Sequence, residues 1–412
     1  MSDELKETQE QAPTKSQTPF LTRIVKTFFS PDVGTIAGAI ALALVLGALL
    51  VVAFDPKVQE TASYLLARPS DFFSAAGSAF VAFFASLIRG SIFDWEAASA
   101  ARMFRPITES LVFATPLIIS GLAITVAFRA GLFNIGVQGQ LILGAIVGSI
   151  VGINLPLPPV LGIIVTMLAA VIGGALWGAI PGLLKARAGA NEVIVTIMLN
   201  TIALYLVGWL LQQPILIGDG LPSKSLNTQA NAWYPMLMGS QFRLHFGFVI
   251  ALLAAVFVWW LLERSTFGFE LRAAGANPSA AATAGINVNR VIFLTLTISG
   301  ALAGLSATAP IQGTEHFLTS GTAGSLGFDA ITVALLGRSK PLGTVLAGIL
   351  FGALNAGGST MQAAAGIPID IVQVTQAIIV LLIAASEARK YFKAKKLAAA
   401  KATAVAPRKE VA

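Results

Sequence analysis

The sequence predicts an all-α polytopic membrane protein, and three observations carry the prediction. Of 412 residues, 56% are hydrophobic and 11% charged, where a soluble domain carries about a quarter charged. The mean hydropathy is +0.79. The apolar residues also gather into runs close to the roughly 20 residues that cross a bilayer as helix. These runs lie at 34–54, 107–128, 135–153, 159–184, 191–211, 245–262, 290–310, 326–337, 341–358 and 370–387, giving about ten spans.

In chain order, residues 1–33 are polar and mixed in charge, and are expected to be a disordered cytoplasmic N-terminus. The run Gly34 to Phe54 reads as a signal anchor. The segment 55–106 is expected outside. Within it Phe72 to Ile88 is apolar but rich in small residues and lies between Asp71 and Arg89, so an interfacial helix is expected there. A span would reverse the orientation of everything before it. The run 326–337 is too short to cross alone and follows the Gly-rich turn Gly321 to Gly327. A broken or re-entrant helix is the expectation, because irregular backbone at that depth survives only when buried in protein or lining a cavity.

Charge fixes the orientation. The formal net charge is +7, with a basic run, Arg389 to Lys396, in the tail 389–412. With the N-terminus inside, the cytoplasmic turns carry Arg129, Lys185 and Arg187, the segment 263–289, and Arg338 with Lys340. That pattern obeys the positive-inside rule and is expected to put both termini in the cytoplasm. The series Gly144/Gly148/Gly152 and Gly174/Gly178/Gly182, with Gly343, Gly348 and Gly352, predict close helix packing.

One polar segment carries its own punctuation. Between two spans, Asn277 suits a helix N-cap, Pro278 the first turn, and Gly285 the left-handed position past the end. About seven helical residues result, too few for a helix that is stable alone in water. The segment must lie against something, and its alanine-rich surface suits docking in another protein's groove.

The spans limit the chemistry. No ionisable residue falls in the middle third of any span; Glu109, Glu192, Asp329 and Asp370 sit at ends. That argues against ion-coupled transport, which relies on such residues. The two histidines, His245 and His316, lack ligand spacing, and cysteine is absent, so no metal site is expected. No Gly-Lys pair occurs, so the chain has no phosphate-binding loop of its own. Any energy for transport comes from another subunit.

Neutral polar residues interrupt the apolar runs: Asn134, Gln138 and Gln140 open one span, Asn200 sits near the centre of another, and Asn355 lies late in a third. An unpaired amide costs several kcal/mol in hydrocarbon, roughly 2–7. These side chains are expected inside the bundle, either bonding helix to helix or lining a path for a neutral, hydrogen-bonding solute. Asn191 with Glu192 reads as a helix cap with a dipole partner, or as a gate. Phe133 and Phe328, with Trp177, Tyr205 and Trp209, are candidates to stack on a planar ring.

Four motifs appear in order. They are Phe128 to Gln140 (Phe-Arg-Ala-Gly-Leu-Phe-Asn-Ile-Gly-Val-Gln-Gly-Gln); Gly189 to Ile194 with Met198-Leu199-Asn200; Gly268 to Val288; and Phe328 to Arg338. Together they resemble the permeases of ATP-binding-cassette importers in the branched-chain amino acid and ribose superfamily. The nucleoside permeases that work with a basic-membrane-protein-type lipoprotein are the most similar branch. Such permeases commonly have Glu where Gln138 stands.

The resemblance implies a type II importer architecture and a heterodimer of two related permeases. An external substrate-binding lipoprotein would deliver the solute. A cytoplasmic ATPase would bind ATP and Mg, with no cofactor in this chain and no catalytic residue. It implies a coupling helix that the ATPase moves, with Arg272, Gly275, Asn277, Pro278, Ala281, Gly285 and Ile286. The solute, a nucleoside by the branch or a simple sugar as the alternative, would pass Phe133, Asn134, Gln138, Gln140, Asn191, Glu192, Asn200, Phe328, Asp329 and Asn355 by alternating access.

Overall fold

The structure is a computed structural model that describes residues 31–218, 223–239 and 241–386. The basic tail and nearly all of the N-terminal segment expected to be disordered lie outside the described residues. The chain divides into two compact units, Met1–Val45 with Leu381–Ala412, and Leu46–Val380. All packing described below belongs to the second.

The principal helices are α1 Pro31–Phe54, α2 Pro69–Ser91, α3 Ala100–Arg129, α4 Val137–Asn154, α5 Pro159–Ala188, α6 Glu192–Leu210, α7 Gly247–Arg264, α8 Thr266–Ala276, α9 Pro278–Thr283, α10 Val288–Ser306, α11 Leu326–Leu336, α12 Pro341–Ala365 and α13 Asp370–Ser386. A π-helical turn, Ala309–Thr314, continues α10. Among the described residues nine helices are long and apolar enough to cross a membrane, so the chain is a multi-pass membrane protein. The shorter α11 and α13 are apolar as well. The set of nine differs from the ten expected spans in three places: it adds α2, and it leaves out the shorter α11 and α13. Residues 72–88 belong to α2, which has 23 residues and is itself long enough to span. Its C-terminal half is the buried half, with Phe83 against Gly47, and Gly90 against Gly357 and Thr360.

Helix α3 is the central post: nearly every side chain from Ala114 to Ala127 is buried. It packs on α12, α10, α11 and α7. The glycine series are seams. A Cβ on Gly174 would strike the carbonyl of Gly300, and one on Gly304 the carbonyl of Ala170, so α5 and α10 touch backbone to backbone. Gly352 lies against Ser110 and Ala114, and Gly348 against Ile118, which sets α12 on α3.

Candidate functional site

Two features stand along α3, one beside its middle and one at its C-terminal end. Val112, Phe113 and Pro116 contribute to one and Arg129 to the other. The thirteen residues from Pro116 to Arg129 separate them by about 20 Å at 1.5 Å per residue.

At the Arg129 end lies the segment α8–α9. Leu271 and Ala274 are buried on the core, and Gly275 presses on the Arg129 and Ala130 backbone. Glu263 accepts from Arg129 Nη2 at 2.7 Å, with Arg272 Nη1 3.9 Å from its other oxygen. Asn277 Oδ1 accepts from the Ala280 backbone N–H at 3.1 Å, so it caps α9, and Pro278 opens the first turn. Gly285 has φ +86°. Its N–H donates to Ala282 O, and the Ile286 N–H donates to Ala281 O, both at 3.0 Å. These two bonds make a Schellman stop. Ile286 and Ala281 then meet the same apolar core. Ala281 is 4% exposed and therefore faces this chain. The outward residues of α9 are Ser279, Ala280, Ala282 and Thr283. Arg187 and Arg290 flank a shallow cleft beside the start of α10.

Beside the middle of α3 is a polar cavity of about 430 Å³, within the roughly 300–1,000 Å³ usual for small-molecule sites. Asp329, Asn355, Glu315, Arg243, Thr322 and Gln373 supply its polar lining, and Phe113 supplies an aromatic wall. Asp329 Oδ2 accepts from Ser325 Oγ at 2.7 Å. Asn355 Oδ1 accepts from Gln376 Nε2 at 2.9 Å, which orients the amide and leaves its Nδ2 donors unpaired among the described residues. Burial raises the Glu315 carboxyl above its usual range, while the hydrogen bond with Thr322 and the Arg243 guanidinium pull it back down. Arg243 also borders an open cleft of about 580 Å³ with Arg102 and Arg105. Glu109 bridges two of these arginines, 3.2 Å from Arg105 and 3.3 Å from Arg243.

The expected pathway residues divide into three sets. Asp329 and Asn355 line the cavity. Asn134, Gln140 and Asn200 lie in a buried network. Asn134 Nδ2 donates to Gln140 Oε1 at 3.0 Å and to Ser299 Oγ at 2.8 Å, and its Oδ1 accepts from the Gly136 N–H. Asn200 Oδ1 accepts from the Gly139 N–H, and its Nδ2 donates to Ile135 O. These bonds tie α4 to α6 and α10. Gln138 has both ends of its amide bound to the Gly-rich turn. The third set sits elsewhere. Asn191 caps α6, Glu192 pairs with Lys185 at 2.5 Å, Phe133 stacks on Phe128 at 5.2 Å, and Phe328 is half exposed. Arg243, Glu315, Thr322, Gln373 and Phe113 were not singled out from the sequence. Arg243 and Glu315 stand in connecting loops, where a charge reads as ordinary solvent exposure. Among the described residues no group of three or more His, Asp or Glu is placed to hold a metal.

Packed transmembrane helices, a polar cavity beside the middle of the central one and a capped short helix at its C-terminal end are an arrangement suited to a transport component. The chain belongs to the family described as branched-chain amino acid transport system / permease component, whose model matches residues 107–385. Its relatives include the guanosine ABC transporter permease protein NupP of Bacillus subtilis, 41% identical over 286 residues, covering 69% of this chain and 82% of that one. The nucleoside ABC transporter permease protein NupB of Lactococcus lactis is 36% identical over 296 residues, covering 69% and 81%. The glucose ABC transporter permease protein TsgB13 of Haloferax volcanii is 36% identical over 296 residues, covering 70% and 78%. No solved structure matches the chain significantly.

Proposed function

We propose that this chain is the translocation subunit of an ATP-driven nucleoside importer in the bacterial cell membrane. The observation that carries the proposal is the polar cavity beside the middle of α3, about 20 Å along that helix from the end against which α8–α9 rests. The nucleoside and guanosine permeases among its relatives support the solute class. Asp329 is a fixed acceptor suited to sugar hydroxyls, and Asn355 is an oriented donor suited to a base edge or sugar oxygen. Phe113 offers an apolar face for a ring.

On this reading α2 lies along the interface and does not cross, both termini and α9 face the cytoplasm, and there a partner ATPase binds ATP and Mg and moves α9. Closure of the ATPase pushes α8–α9 against α3, and the bundle reorients between outward and inward access. A second, related permease completes the pathway. The cationic cleft of Arg102, Arg105 and Arg243 lies on the external side, where a substrate-binding lipoprotein docks.

The glucose permease among the relatives makes a simple sugar the second reading. Uptake of labelled guanosine, ribose and glucose into cells expressing the whole transporter separates the two. ATP-dependent guanosine uptake, competed by other nucleosides and untouched by ribose or glucose, is expected. Uptake of ribose or glucose alone overturns the nucleoside reading, and guanosine entry without any ATPase makes the chain a passive channel.

A further inference from the structure

The Gly-rich turn between Thr319 and Leu326 forms one wall of the polar cavity. Gly321, Thr322, Gly324 and Ser325 line it, and Asp329 follows one turn into α11. Within the turn, the Thr319 N–H donates to Thr322 Oγ1 and the Gly324 N–H to Gly321 O, each at 2.8 Å. Among the described residues one side chain from another long helix hydrogen-bonds the segment 319–329, and it is Gln138 of α4. Its Nε2 donates to Gly324 O at 2.8 Å, and its Oε1 accepts from the Gly327 N–H at 2.8 Å. The contact is close: a Cβ on Gly327 would lie 2.5 Å from Gln138 N and 2.6 Å from Gln138 Oε1. The turn is thus pressed onto the first turn of α4 and clipped there by one amide.

We propose that Gln138 is a positioning residue that latches the cavity wall, holding Thr322, Ser325 and Asp329 where a solute meets them. The proposal rests on the reading of the cavity as the solute path. The latch needs one donor and one acceptor on the same planar group, which a neutral amide supplies. A carboxylate accepts from Gly327 but has no proton for Gly324 O, and its second oxygen then faces a carbonyl oxygen. A carboxylic acid restores both bonds. Replacing Gln138 by Glu therefore converts a pH-independent latch into one that closes only when the acid is protonated.

The absence of cysteine from the chain makes a single-cysteine reporter specific. Ser320 is exposed within the turn and lies outside the cavity lining. Ser320→Cys is introduced into the complete transporter in proteoliposomes, alone and with Gln138→Leu or Gln138→Glu. Maleimide labelling rate and the KM and kcat of guanosine uptake are measured at pH 5 and pH 8. Loss of a hydrogen-bond pair worth about one decade gives the scale. Gln138→Leu is expected to raise labelling and KM about three- to tenfold with little change in kcat at either pH. Gln138→Glu is expected to match Leu at pH 8 and to move toward the parent at pH 5. Unchanged labelling in Gln138→Leu overturns the latch, as does a Gln138→Glu that matches the parent at pH 8. Faster labelling with unchanged KM overturns its link to transport. In that last case Asp329→Asn locates the fault: if it also leaves uptake untouched, the assignment of the cavity has failed instead.

Discussion

Asn134 offers a decisive perturbation, because its two possible roles have opposite signatures. Its side chain is 1% exposed and makes bonds to Gln140, Ser299 and the Gly136 N–H. Asn134→Leu keeps the branched outline of the side chain in a somewhat larger form and removes all three. The Gly136 N–H and the Gln140 amide are then left buried without their partner. Each unsatisfied group costs about 1–3 kcal/mol, so the sum for the two is about 2–6 kcal/mol. The average of about 0.6 kcal/mol per interhelical bond in a membrane gives a floor of about 2 kcal/mol for the three. Thermal unfolding of the purified chain in detergent, run beside guanosine uptake kinetics, reads both quantities. A scaffold role predicts a clear drop in Tm and fewer active transporters with KM unchanged. An unchanged Tm with a raised KM would refute the reasoning and return Asn134 to the solute path.

Other predictions follow from the same structure. Gly304→Val drives a side chain into the Ala170 carbonyl and is expected to cost about 1–3 kcal/mol or more, seen as lost expression of folded protein, whereas Gly208→Ala, with open space around it, is expected to be silent. Asn277→Ala removes the α9 cap and is expected to cost about 1 kcal/mol locally, read as faster amide exchange at Ala280. His316 is stacked on Trp233 at 4.0 Å, and burial lowers its pKa below the ordinary 6.5. The fold therefore favours neutral His316. Its contribution is complete above about pH 6.5 and declines as pH falls below it, because the unfolded chain then binds the proton more readily. Tm measured from pH 8 to pH 5 is expected to fall on the acid side; burial also lowers the His245 pKa, to about 4, so His245 acts on the same limb and His316→Phe is expected to make it shallower without removing it.

Local features were legible from sequence because their causes are local. Asn277, Pro278 and Gly285 predict a capped short helix, and the structure places each in the expected role, down to the positive φ at Gly285. The glycine series predict seams because a missing Cβ is what lets two backbones touch. The cavity was not legible. Its lining runs from Val112 to Gln373, and no spacing rule connects a loop arginine at 243 with an asparagine at 355. Buried amides were ambiguous for a different reason: bonding to a helix and bonding to a solute require the same residue type. Partners seen only in three dimensions separate Asn134 and Asn200, which face other helices, from Asn355, which retains free donors. Composition alone leaves α2 open between an interface helix and a span, since its length suits either, while Gly90 just past the small-residue stretch lies against Gly357 of α12.

The central claim is that α9 is where an ATPase moves this bundle. Ala281 is unsuitable as a probe because it packs into the chain's own core. Ala280 and Ala282 point outward, and charge there leaves the core packing intact. The direct measurement is ATP-driven guanosine uptake by the complete transporter carrying Ala280→Glu with Ala282→Glu, with ATPase co-purification scored in parallel. The account predicts normal membrane insertion and Tm, loss of the co-purifying ATPase, and uptake at background. Full uptake with the ATPase still bound would contradict it.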